Sequence, residues 1–104
     1  MQQTKDIILK AIALIENPDA WTQGVSAQDS TGLSVPATAT EACRWCTLGA
    51  IDKVTGDDDY DSWRAVTHTV RDVIREETSY TSIPDFNDNH THAEVLALLR
   101  KAAA

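Results

Sequence analysis

Cys43-Arg44-Trp45-Cys46 is the first stretch whose residue types and spacing could do chemistry. Two cysteines at this spacing serve as a redox dithiol, as half of a zinc site, or as two core residues. A structural zinc takes four ligands, and the chain holds two cysteines in all, so no second Cys-x-x-Cys exists. A redox dithiol has its first cysteine at a helix N-terminus after a strand, where the exposed amides lower the thiol pKa. The pattern around Cys43 instead reads as helix interior, with Cys43 and Cys46 on one apolar stripe. Core packing is therefore the leading reading, with redox and metal roles as alternatives.

Asp85-Phe86-Asn87-Asp88-Asn89-His90-Thr91-His92 is the second candidate. In an extended loop His90 and His92 point the same way. If that loop docks on the cysteine-bearing segment, Cys43, Cys46, His90 and His92 form a Cys2His2 zinc set. The spacing fits no finger pattern, so the leading reading is a turn whose Asx side chains cap backbone amides, with His92 opening a helix. His68 falls on a polar helix face. The chain has no glycine-rich phosphate loop, no His-Glu-x-x-His and no Gly-x-Ser-x-Gly, so no catalytic residue is assigned.

The third candidate is the anionic run Asp57, Asp58, Asp59 and Asp61 around Tyr60. Acids suit a helix start, because its exposed amides and dipole favour negative charge. They equally suit a protein partner with a basic surface. Trp45 lies off the main stripe of its expected helix and beside Arg44, which makes it a candidate interface anchor. Trp21, Trp45 and Trp63 could also line a pocket for a small molecule between helices.

Charge narrows the partners. The chain of 104 residues carries nine basic and sixteen acidic side chains, for a net charge of -7. The bases are scattered, which argues against direct binding to nucleic acid or to anionic membranes. Residues 54–104 hold ten of the acids and five of the bases, so the C-terminal half is the more acidic. No apolar run approaches the roughly 20 residues of a membrane span, and no secretory pattern opens the chain. The expected location is the cytoplasm, where thiols stay reduced.

The elements that position these residues are predicted from hydrophobic period. A first helix spans about 4–16, with Thr4 as N-cap, a stripe of Ile8, Ala11, Ile12 and Ile15, and a stop at Asn17-Pro18. Residues 22–37 are polar, with a turn signal at Asp29-Ser30-Thr31-Gly32, and read as a loop or a short β-hairpin. A second helix is expected over 38–54, opened by a Thr38-x-x-Glu41 capping box and central to the fold. Its small residues, Gly49 among them, would let another helix approach closely. A third helix covers 59–77 and a fourth 91–102, the latter opened by the capping box Thr91-x-x-Glu94.

Three motifs carry a resemblance. They are Trp21-x-x-Gly24 with Ala27-x-Asp29-x-x-Gly32; Ala42-x-x-Trp45-Cys46-x-x-Gly49-Ala50; and Phe86-Asn87-Asp88 with Thr91-x-x-Glu94-Val95-Leu96. In this order they resemble a family of short, uncharacterised bacterial and phage proteins, a domain of unknown function. The resemblance implies a single domain of bacterial or phage origin and transfers no activity. It draws attention to Trp21, Cys46, Gly49, Asn87 and Asp88 as a structural motif, with Asn87-Asp88 capping the second or the last helix. The sequence is thus read as one mainly α domain, a four-helix bundle with an irregular or hairpin segment between its first two helices. The expected function is a non-enzymatic interaction module, sharpest as a phage-encoded acidic inhibitor of a host protein. A metal or redox protein, with zinc as its cofactor, and a small-molecule binder are the alternatives.

Overall fold

The computed structural model describes residues 3–104. Its elements run α1 (Thr4–Ile15), β1 (Ala27–Gln28), β2 (Arg44–Trp45), α2 (Thr47–Thr55), α3 (Tyr60–Glu77), α4 (Ile83–Asp88) and α5 (His92–Ala103), with a 3-10 turn at Pro18–Ala20 after α1. The protein is mainly helical, with one small antiparallel strand pair between α1 and α2. Among the described residues, no helix is long and apolar enough to cross a membrane.

The apolar spacing of α1 gives it a wide buried face: Ile7, Ile8, Ala11, Ile12 and Ile15 are all buried. Burying each isoleucine contributes about 1.5–3 kcal/mol relative to exposure. That face packs against α2, α3 and α5, so α1 is the central helix rather than α2 as expected. Thr4 is the first helical residue, and Gln3 stands at the N-cap without a side-chain bond. Asn17 takes extended backbone before Pro18 and accepts the Asp19 amide, which ends the helix. From α3 come Val66, Val70 and Ile74, and from α5 come Val95, Leu98 and Leu99. The Thr91–Glu94 capping box forms, with Thr91 N donating to Glu94 and Glu94 N to Thr91.

The turn at Asp29–Gly32 forms. Asp29 Oδ1 accepts from Thr31 N, Thr31 Oγ1 and Leu33 N at 2.9, 2.6 and 3.1 Å, and Gly32 adopts φ 90°. The Thr31 hydroxyl, helped by amides of the turn, holds the Asp29 carboxyl below its usual value. The strand pairing goes beyond that turn. Ala27 and Gln28 lie opposite Trp45 and Arg44, and Gln28 also bridges Ser34.

This pairing corrects the helix expected over 38–54. Residues 38–46 are turns and strand, and α2 begins only at Thr47. The Thr38 capping box does not form; the Ala39 and Ala42 amides close turns on Pro36 and Ala39. The amides of Cys43 and Cys46 bond the Gln28 and Ser26 carbonyls at 2.9 and 3.1 Å, and Trp45 O accepts from Thr22 N. Those groups cannot also serve a helix, so long-range pairing overrides local propensity. With period two, Arg44 turns outward to the Asp19 carbonyl and Trp45 turns inward. A second difference is α4, a six-residue helix inside the stretch expected to be loop. Ser82 caps it by accepting Asp85 N, and Pro84 sits in its first turn.

Gly49 has a reason other than helix–helix approach. A Cβ built there would lie 2.0 Å from the Ser26 carbonyl oxygen. That oxygen is held by the Cys46 amide, so the strand lead-in runs directly across the first turn of α2. Helix propensity alone predicts that Gly49→Ala stabilises by about 1 kcal/mol. The clash predicts a loss of about 1–3 kcal/mol or more. Chemical denaturation of the two proteins gives the sign, and a loss is expected.

Candidate functional site

The motif residues meet at the N-terminus of α2. Cys46 is the N-cap, in extended backbone at the end of β2, and its Sγ accepts from Gly49 N at 3.3 Å. Asn87, at 0% exposure, approaches from α4. Its Oδ1 accepts from Thr47 N (3.0 Å), Thr47 Oγ1 (2.7 Å) and Trp21 Nε1 (2.8 Å). Its Nδ2 donates to Thr22 O and Asp88 Oδ1, both at 3.1 Å. Asp88 Oδ1 also accepts Gly24 N at 2.9 Å, where Gly24 has φ 84°. Trp21, Cys46, Gly49, Asn87 and Asp88 therefore build one joint between the 21–24 segment, α2 and α4. Helix α2 uses this side chain from elsewhere in the chain to satisfy its first amide.

The placement of Cys46, at a helix N-terminus after a strand, is the one a nucleophilic thiol needs. Its environment works against that use. Burial pushes the thiol up, and this outweighs the downward pull of the Gly49 and Leu48 amides, while Asp88 and Asp52 add repulsion. Cys43 is exposed, not on a buried helical stripe, and both thiols are free.

His90 and His92 engage separate surroundings. His90 Nδ1 donates to Phe86 O at 2.7 Å, and its ring stacks on Phe86 and meets the edge of Tyr80. His92 Nε2 donates to Ile15 O at 2.6 Å, and its ring lies against Trp21. Cys43, Cys46, His90 and His92 do not converge: among the described residues, no group of three or more His, Cys, Asp or Glu is arranged to hold a metal. His68 is exposed on α3.

The tryptophans part company too. Trp45 is 8% exposed, with its indole N–H donated to Ala37 O, so it is a core residue and not the exposed anchor expected from the sequence. Trp21 is tied to Asn87. Trp63 lines a cleft of about 490 Å³ with Ser26, Asp52, Gly56, Asp57 and Tyr60. Its ring stacks with Tyr60, centroids 5.8 Å apart, and its indole N–H is held by Asp52 Oδ1. Tyr60 is 65% exposed.

The acidic run divides by role around this cleft. Asp57 lines it; Asp59 caps α3 by accepting Ser62 N; Asp58 and Asp61 are exposed. Asp52 is the residue that sequence reasoning missed. Burial raises its carboxyl above the usual 3.8, the Trp63 bond offsets part of this, and the negative charge of Asp57 raises it again. The signal was present in the Tyr60-x-x-Trp63 spacing, which puts both rings on one helix face. Asp52 itself comes from α2, and only the packing of α2 on α3 brings it there. The cleft offers two carboxylates and an aromatic wall, a combination that attracts a guanidinium or ammonium group.

Residues 1–104 match Family of unknown function (DUF6197), and the chain belongs to that family. No curated protein and no solved structure matches it.

The two thiols are expected to react differently. In the native protein iodoacetamide should label Cys43 and spare Cys46, with both labelled after denaturation. Peptide mass spectrometry reads the outcome; fast native labelling of Cys46 would contradict its burial and raised pKa.

Proposed function

We propose that this family member is a non-enzymatic binding module whose acidic, aromatic cleft receives an arginine or lysine side chain from the basic surface of a protein partner. The observation that carries the reading is the Tyr60–Trp63 stack lining one cleft together with Asp52 and Asp57. A cation entering there meets the aromatic pair and two carboxylates. It also relieves both influences that raise the Asp52 carboxyl, since it replaces lost solvation and screens Asp57. Around the cleft, Asp58 and Asp61 add long-range attraction that speeds encounter. In the sharper form of the reading, the chain is encoded by a phage and works in the host cytoplasm. Its acids there cover a basic surface that a host protein uses for another ligand.

A short arginine-rich peptide is the probe, with a glutamate-rich peptide as control, measured by calorimetry at physiological ionic strength. Tyr60→Ala and the pair Asp57→Asn/Asp58→Asn should each weaken binding roughly 5–30-fold. Asp59 is left intact because it caps α3. The pH dependence has a definite sign. The cation prefers ionised Asp52, so affinity should fall as pH drops through the raised titration of that group, above 3.8. Equal affinity in the wild type and both variants would sink the reading.

A further inference from the structure

A second groove, with the opposite charge, lies on another side of Trp63. It has a volume of about 330 Å³, and its polar lining includes Arg71, Arg75, Thr81 and Ser82. Arg71 and Arg75 are four residues apart on α3, so both guanidinium groups stand on one helix face. The helix accepts their mutual repulsion. In a chain with sixteen acids and nine bases, an arginine has ready access to carboxylate partners. Yet neither Arg71 nor Arg75 forms an ion pair among the described residues, whose pairs are Arg100 with Glu16 and Lys101 with Glu77. No Asp or Glu lines the groove.

The hydroxyls point to the kind of anion. Ser82 Oγ accepts the Asp85 amide at 3.1 Å, which leaves its own proton to donate. Thr81 lines the same wall, while the Thr67 hydroxyl is already committed to Arg64 O. Guanidinium groups match the oxygens of a phosphate two at a time, and a hydroxyl can serve the third oxygen. The remaining wall is apolar: Leu48, Ile83, Pro84 and the Trp63 ring. We infer that this groove binds a small phosphate monoester with an aromatic or apolar body, its phosphate on Arg71 and Arg75 and its body against Trp63.

The test uses the full chain with inorganic phosphate and phenyl phosphate as probes, and phenol and chloride at matched ionic strength as controls. Indole fluorescence, to which Trp63 contributes beside Trp21 and Trp45, gives one readout, and ³¹P NMR line width follows the phosphate directly. Phenyl phosphate should bind saturably and more tightly than inorganic phosphate, with no comparable response to the controls. Arg71→Met/Arg75→Met should weaken it by about 10–100-fold, the range expected when charge-assisted bonds are lost. Lys5→Met, which removes an exposed cation on α1 away from the groove, should leave it unchanged. Circular dichroism shows whether the double variant is folded, and the wild-type titration stands without it. A linear, non-saturating response in the wild type overturns the inference, and so does equal affinity in a folded double variant.

Discussion

Two segments distant in sequence, residues 21–22 and the start of α2, meet at the carboxamide of Asn87 on α4, and they bring three polar groups that the fold withdraws partly or wholly from water. The first amide of α2, the indole of Trp21 and the Thr22 carbonyl all terminate on this one side chain. Each such group left unpaired in the interior costs about 1–3 kcal/mol. A carboxamide suits the site because one end accepts while the other donates. An aspartate would keep the acceptor but turn a second charge toward Asp88 and toward a carbonyl. The six-residue α4 is too short to be stable alone; it holds Asn87 in place because Ile83 and Phe86 are anchored in the core.

From that joint the rest of the architecture follows. Fixing the start of α2 sets where Gly49 meets the Ser26 carbonyl and where Cys46 is buried. It also sets the direction in which α2 presents Asp52 to Trp63 on α3. The acidic cleft and the basic groove share Trp63 as a common wall, so the α2–α3 contact sets how the two lie relative to each other. In this reading the motif residues shape the surfaces and the exposed residues around Trp63 meet the ligands.

Helices with a strong apolar period were legible in the sequence. The stripe of α1, the span of α3 and the capping box of α5 rest on local patterns that the fold keeps. The start of α2 was not legible, because Thr38-x-x-Glu41 is a sound local cap that loses to the pairing of Arg44 and Trp45 with Gln28 and Ala27. The true start of α2 puts Trp45, expected to be partly exposed, in the core, and Cys43, expected in the core, on the surface. The Ser82-Ile83-Pro84-Asp85 start of α4 carried a readable signal, but the helix is shorter than the window over which periodicity is counted. Asp57 was visible as charge; its association with Asp52 and Trp63 depends on the contact between two helices and has no signature along the chain.

Hydrogen exchange at two protons tests the central claim most directly: the Thr47 amide and the Trp21 indole N–H, both followed by NMR in the native protein. If both are donated to a buried Asn87 oxygen, they exchange together, as slowly as the core amides of α1. Exchange of either near the rate of an unstructured peptide would mean that the joint is open to water and that Asn87 does not hold α2 in place.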